Sequence, residues 1–271
     1  MLAIVSFTST AVSAISRPTA PEWSRWHTLR YEARPLIFFT GRVEMRLRNA
    51  SARRLLETDT LATFLGAELA RARSRTTIDP ATGRTVEFYE ITPERGRRYV
   101  FGADSFTVER IEPSGSWEAP VANWTSISKK VWPNPPAPAG GSAPKVYDYY
   151  GMLVALSDAP LKAVGDSAVF WVATSHGAEP YKVTVSEVRS GSRTITGPPA
   201  GNGNPSARAV PVRELRLRVA PADPAKADEG FLKMEGETEI WVESASRTLL
   251  QISGKIPKVP GRVDVELTDF E

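Results

Sequence analysis

The sequence is dominated by segments in which apolar and polar residues alternate, which is the pattern of β-strands with one buried face and one face in water. In residues 41–49, Val43, Met45 and Leu47 alternate with arginines and a glutamate. The same period of two recurs in five further segments, 84–92, 98–111, 181–188, 213–219 and 261–268. Antiparallel sheets with one solvated face have this pattern. The sequence therefore predicts a mostly β protein built on an antiparallel sheet.

Three segments depart from this period and predict how the sheet is completed. Residues 168–173 are apolar on both faces, which predicts a central, covered strand, and residues 60–70 are compatible with a strand or a short helix. In residues 145–157 apolar side chains recur at intervals of three and four, the spacing of an amphipathic helix. These side chains are Val146, Tyr149, Tyr150, Leu153 and Leu156. We expect this one short helix to cover a strongly curved sheet or half-open β-barrel, although Gly151 weakens it by about 1 kcal/mol.

Turn residues predict the connections between strands. Asp79-Pro80-Ala81-Thr82-Gly83 separates two strand patterns and is typical of a hairpin turn that begins with proline and ends with glycine. Near the end of the chain, 237–243 and 248–256 are separated by a short polar segment, and a last strand follows at 263–267. This order predicts that the last third of the chain is a meander of adjacent antiparallel strands.

The 271 residues are expected to form a single β domain over 15–271, with long loops at 113–144 and 196–208. Both loops contain runs of proline, alanine and glycine, which cannot bury enough apolar surface to offset the entropy of ordering. Residues 1–14 are mostly apolar or small and resemble a signal peptide that lacks its basic front segment. We therefore expect an exported, extracytoplasmic protein of the periplasm. The apolar segment is too short to span a bilayer as a helix.

Composition excludes several classes of chemistry. The chain has no cysteine and two histidines, so disulfides, zinc ribbons, iron–sulfur clusters and cysteine nucleophiles are excluded. A net charge of +3 does not indicate nucleic-acid binding, and no glycine-rich nucleotide motif occurs. His176 lies near Ser175 and Glu179, but no serine lies in a nucleophile elbow. We expect no enzyme activity, no cofactor and no metal.

One acidic cluster leaves two interpretations open. Glu235, Glu237 and Glu239 share one face of a predicted strand. They could bind a hard cation or act in glycoside hydrolysis. Alternatively, they form a solvated face and pair across strands with arginines such as Arg216 and Arg218. The second interpretation is favoured.

The closing strands resemble a known group of proteins. The segments EIWVE (239–243), RTLLQI (247–252) and GRVDVEL (261–267) resemble an uncharacterised family of exported bacterial proteins, a domain of unknown function grouped with the lipoprotein carriers LolA and LolB. The helix after the proline-rich segment and LRYEA (29–33) are similar to the corresponding helix and opening strand of that family. The resemblance implies a half-open β-barrel whose apolar concave face, covered by helices, receives acyl chains in the carriers.

Aromatic residues are the predicted ligand-binding site. Trp117, Trp124 and Trp132 lie in the predicted loop 113–144, where they either pack the loop onto the barrel or line the mouth of a cavity. Tyr149 and Tyr150 on the helix complete the set. The predicted function is non-enzymatic binding of an apolar or lipid-like ligand in the cell envelope. The alternative is a structural or assembly factor with a filled core that acts through contacts with envelope proteins; an open apolar cavity on the order of several hundred Å³ would favour ligand binding.

Overall fold

The structure is a computed structural model that describes residues 27–36, 39–50, 52–197, 206–223, 230–257, 259 and 261–271. The predicted signal peptide, 1–14, and most of the predicted loop 196–208 lie outside these residues. The described residues form a mostly β fold with one α-helix, as the alternation predicts, and their fifteen strands belong to one continuous sheet.

The first eight strands form an antiparallel meander in which each strand pairs with the next. They are β1 (Thr28–Leu36), β2 (Phe39–Ala50), β3 (Arg53–Phe64), β4 (Ala67–Asp79), β5 (Arg84–Ile91), β6 (Gly96–Phe101), β7 (Ser105–Glu112) and β8 (Thr125–Pro133). The predicted turn between β4 and β5 is confirmed. Gly83 has a φ of 65° and donates its N–H to the Asp79 carbonyl at 2.8 Å.

The second half of the chain returns along the other side of β1. Its elements are β9 (Val146–Tyr147), α1 (Tyr149–Ala155), β10 (Ser167–Thr174), β11 (Gly177–Gly197), β12 (Ser206–Pro221), β13 (Glu235–Glu243), β14 (Leu249–Lys255) and β15 (Val263–Phe270). The last strand, β15, pairs with β1 and joins the two halves. Strands β12 to β15 are adjacent and antiparallel, which confirms the predicted meander.

The sheet is strongly curved, and its two ends meet through side chains. Phe88, Tyr99 and Phe106 of the first half form a buried cluster with Val146 and Ala173 of the second half. Within the described residues the edge strands β8 and β9 are not hydrogen-bonded to each other, so the barrel is not closed. A larger hydrophobic core packs residues of β1 to β3, α1 and strands β10 to β15 against one another.

Several local predictions are corrected by the pairing of strands. Residues 98–111 form two strands rather than one, because the chain reverses where the Gly102 N–H bonds to the Ser105 carbonyl at 2.8 Å. Residues 60–70 form a hairpin tip in which Leu65 and Gly66 both have left-handed backbones, with φ of 51° and 83°. The strand at 168–173 is not central, because β10 is next to the edge strand β9, and Val169 is 56% exposed.

Two further corrections concern the middle of the chain. The predicted loop 113–144 contains the edge strand β8, whose residues are exposed except for the half-buried Trp132; burial therefore imposes little pattern on its sequence. The helix is shorter than predicted, since Val146 lies in β9 and Leu156 begins a 3-10 turn. Among the described residues, no helix has the length and apolar character needed to cross a membrane.

Candidate functional site

A cavity of about 830 Å³ lies between the concave face of β1 to β3, helix α1 and the turn that connects β13 to β14. Its apolar lining comes from the inward positions of these elements. The residues are Leu29 and Tyr31 of β1, Met45 and Leu47 of β2, Leu56 of β3, Leu153 and Val154 of α1, and Leu249 of β14. A space of this volume is within the usual range of ligand pockets, about 300 to 1,000 Å³.

Strand register explains why these side chains share one surface. Leu29 is opposite Met45, and Leu47 is opposite Leu56, so the alternation within each strand places all four on the same face. At the far side of the cavity, the buried Tyr31 hydroxyl donates a hydrogen bond to the Leu249 carbonyl at 3.0 Å. Burial raises the pKa of Tyr31 well above its usual value, so this hydroxyl stays a neutral donor.

The rest of the cavity lining, polar except for Pro80, comes from the turns and strand ends at one side of the sheet. Its members are His27, Arg48, Asn49, Arg54, Pro80, Ser157, Ser246, Arg247 and Thr248. They include three arginines and a histidine but no aspartate or glutamate. The cavity thus combines an apolar interior with a mouth that carries positive charge.

Arg247 occupies an unusual position in the β13–β14 turn. Its backbone is left-handed, with a φ of 59°, a conformation that costs residues other than glycine free energy. The carboxylate of Glu243 holds the turn by accepting the N–H groups of Ala245 at 2.9 Å and Ser246 at 2.5 Å. Nη1 of Arg247 is buried and has no hydrogen-bond partner among the described residues. Burial lowers the pKa of this guanidinium, while the charge of Glu243 opposes that change.

The predicted binding residues Trp117 and Trp124 lie away from this cavity, near each other. Trp124 is buried against Ile91 and Ile111, and Trp117 packs at the edge of the same cluster. The Arg73 guanidinium stacks over the Trp117 ring, 4.1 Å from its centre. These contacts attach the segment before β8 to the meander.

The other three predicted residues lie where the ends of the sheet meet and in the main core. Trp132 lies in β8 with the Lys130 ammonium 3.8 Å from the centre of its ring, and it packs against the cluster that joins the sheet ends. Tyr150 contacts the same cluster through Phe88, at 6.1 Å between ring centres. Burial raises the pKa of Tyr150 to about 12. Tyr149 packs edge-on against Phe231 at 5.5 Å. The five aromatics do not form one surface, and their role in ligand binding stays a prediction.

The glutamates of β13 pair across strands with basic residues. Glu239 contacts Arg216 at 2.6 Å, and Glu237 contacts Arg218 at 3.6 Å, as the favoured interpretation predicts. Glu235 contacts Lys255 at 2.6 Å. In the part of the chain that the structure describes, no three acidic or histidine side chains are grouped so that they could hold a metal ion.

No protein-family model and no curated protein matches the sequence. Among solved structures, the chain is similar to a β-barrel-like protein of the domain of unknown function DUF1849 from Brucella abortus. The TM-score is 0.51 and the identity 10%, and the match covers 91% of this chain and 97% of the other. At this identity the likeness concerns the fold alone. It supports a β-barrel-like fold of a domain of unknown function and leaves kinship with the lipoprotein carriers as a proposal.

The cavity residues themselves were not singled out by the sequence. Leu29, Met45 and Leu56 are apolar residues of strands, which in most proteins fill a core. Their proximity to an open space results from the curvature of the sheet and the position of α1. No local pattern distinguishes a strand residue that faces a cavity from one that faces a packed neighbour.

Proposed function

We propose that this chain is a non-enzymatic, exported protein of the bacterial cell envelope that binds an apolar or lipid-like ligand in the cavity between β1 to β3 and α1, as the lipoprotein carriers do. We place its action in the periplasm. The observation that carries the proposal is the apolar lining of a space of about 830 Å³ on the concave face.

The chemistry of the lining supports binding rather than catalysis. Alkyl and aromatic groups from β1, β2, β3 and α1 offer burial to a ligand chain, which contributes about 0.8 kcal/mol for each methylene removed from water. The turn residues at the mouth leave one polar end of a ligand in contact with solvent. This arrangement suits an elongated molecule with an apolar tail.

Native mass spectrometry tests the proposal directly. Protein isolated from a bacterial envelope fraction is expected to carry a co-purified lipid-sized adduct, and monoolein added to stripped protein is expected to restore one adduct per chain. Val154→Trp introduces a large ring into the cavity lining and is expected to abolish both adducts.

Ile127→Trp is the matched control, because it adds the same ring at a half-exposed position of edge strand β8, remote from the cavity. Circular dichroism of both variants verifies folding. Equal loading of the wild type and a folded Val154→Trp variant, or no adduct in any sample, would refute the proposal.

A second candidate function, assembly through protein contacts, is favoured by one observation. The β3–β4 hairpin tip exposes Phe64 (43%), Leu65 (68%) and Leu69 (60%) together. Exposed apolar groups of this kind are typical of interaction sites. If this tip mediates the function, the double substitution Phe64→Ser and Leu69→Ser would abolish contacts with envelope proteins in cells. Lipid loading would be unchanged.

A further inference from the structure

Two arginines at the mouth of the cavity lack the ion pairs that many arginines of the sheet have. On the strands, several arginines pair closely with acids, as Arg98 does with Glu87 at 2.6 Å and Arg71 with Asp59 at 3.1 Å. At the mouth, Arg48 follows this rule, because it binds both carboxylate oxygens of Glu57 at 2.9 and 3.1 Å. Arg54 and Arg247 have no ion-pair partner within 4 Å among the described residues.

Arg247 lies between an apolar wall and the mouth. Its neighbours in the chain, Ser246 and Thr248, also line the cavity, and Leu249 begins the apolar wall behind them. The nearest acid of the turn, Glu243, directs its carboxylate to two backbone N–H groups of the turn. A guanidinium with a buried, unpartnered nitrogen is costly unless an anion or another acceptor meets it.

The backbone at this position makes the choice of arginine informative. A left-handed residue in a tight turn is most easily glycine, and the side chain of arginine adds steric cost there. At φ 59° the fold therefore tolerates Arg247 rather than requiring it. The shape of the turn therefore does not account for arginine at this place.

We infer that the cavity accepts a single-chain amphiphile with an anionic head group, a carboxylate or a phosphate, and that Arg247 binds this head group at the mouth with Arg54 as a second cation. This inference rests on the proposed function, since the tail of the amphiphile occupies the apolar cavity. Guanidinium groups bind both oxyanions through paired N–H donors. Arg48 is engaged by Glu57 and takes no part.

The test compares three probes with the same oleoyl chain: oleate, oleoyl lysophosphatidic acid and neutral monoolein. Isothermal titration with each probe below its micelle concentration measures affinity for the wild type, Arg247→Gly and Arg247→Lys. We expect the wild type to bind at least one anionic probe about tenfold more tightly than monoolein, the effect of a charge-assisted hydrogen bond. Arg247→Gly should lose most of that preference, because only Arg54 remains, and Arg247→Lys should retain more of it.

Leu65→Gly is the matched control, because it also replaces a left-handed residue, at φ 51°, in a turn remote from the cavity. It should leave all affinities unchanged. Since glycine suits both turns, neither variant should unfold more easily than the wild type.

The outcomes separate the two proposals. Equal binding of monoolein and both anions by the wild type, or an anion preference that is undiminished in Arg247→Gly, overturns this inference and leaves the proposed function intact. No binding of any probe overturns both. A preference for oleate or for the lysophosphatidic acid identifies which head group the site takes.

Discussion

The carboxylate of Asp148 accepts a hydrogen bond from the hydroxyl of Thr76 at 2.8 Å, which ties the start of helix α1 to strand β4. The same carboxylate accepts the Thr85 hydroxyl at 3.0 Å and caps the helix through the N–H groups of Tyr150 and Gly151. Helix α1 forms one wall of the candidate cavity, so this fully buried acid positions a wall of the site. Its removal should affect both stability and the shape of the cavity.

Replacement of Asp148 should therefore be costly. Asp148→Ala removes the cap and leaves two buried threonine hydroxyls without their acceptor, which we expect to lower the free energy of unfolding by about 2 to 4 kcal/mol. Urea unfolding measures the change. Asp158→Ala, at an exposed site on the next turn, is the control and should cost little. Equal effects of the two substitutions would contradict the role of Asp148.

The pH dependence of Asp148 has a defined sign. Burial raises the pKa of its carboxyl, although hydrogen bonds from Thr76 and the helix N–H groups oppose the rise. The folded state then holds the proton more tightly than the unfolded chain, so the contribution of this group is greatest below its unfolded pKa of about 3.9 and falls as pH rises through the folded value. Asp148→Asn cannot ionise. We expect the wild type to gain stability relative to Asp148→Asn as the pH of urea unfolding is lowered from neutral towards the unfolded pKa of about 3.9; a constant difference over this range would contradict this.

Glu214 should show the opposite dependence. Its side chain is 2% exposed and receives hydrogen bonds from Arg193 at 2.5 Å and Arg189 at 2.8 Å. Burial acts to raise the pKa of Glu214, but the two arginines outweigh it and lower the pKa overall. The stabilisation is present above the unfolded pKa of about 4.3 and is lost as pH falls through the folded value.

We expect Glu214→Gln to cost about 1 to 3 kcal/mol at pH 7 and progressively less below pH ~4. Thermal and urea unfolding across this range measure the difference. Glu187→Gln is the control, because the pair of Glu187 with Arg216 is more exposed and should be worth less than about 1 kcal/mol. A cost for Glu214→Gln that is independent of pH would contradict the assignment.

Gly151 gives a prediction that runs against helix propensity. Alanine is about 1 kcal/mol better than glycine within a helix. A Cβ at position 151, however, would collide with Oγ1 of Thr85 and lie 2.7 Å from Oδ2 of Asp148. We therefore expect Gly151→Ala to destabilise the protein by about 1 to 3 kcal/mol, with partial rescue by Thr85→Ala. A gain in stability in urea unfolding would show that α1 does not lie against β5 in this way.

Ligand chain length provides a further prediction for the proposed function. If the tail lies in the apolar cavity, each added methylene should increase affinity about fourfold, which corresponds to roughly 0.8 kcal/mol. Titration with saturated fatty acids from decanoate to palmitate measures this slope. The slope should flatten when the chain exceeds the cavity, and it should be absent in Val154→Trp. Affinity that is independent of chain length would place the ligand outside the cavity.

Most of the local structure of this protein follows from its sequence. Period-two alternation identified strands β2, β5, β11, β12 and β15, and the Asp79–Gly83 turn marked a hairpin correctly, because strand burial and turn chemistry act over a few residues. The local predictions that were wrong concern segments in which these short-range signals are weak. The turn at Leu65 and Gly66 lies inside an apolar run, where a single glycine is a weak turn signal. Strand β8 lies at an exposed edge, so burial imposes little pattern on its sequence.

The cavity and its charged mouth were decided only by tertiary structure. Tyr31 and Leu249 are 218 residues apart, and no local pattern relates them, yet their hydrogen bond joins two walls of the same cavity. Curvature of the sheet, the pairing of β15 with β1 and the attachment of α1 through Asp148 determine which apolar residues meet each other and which meet open space. Alternation determines on which side of the sheet each side chain lies. Contacts between distant segments determine whether that side is packed or borders a cavity.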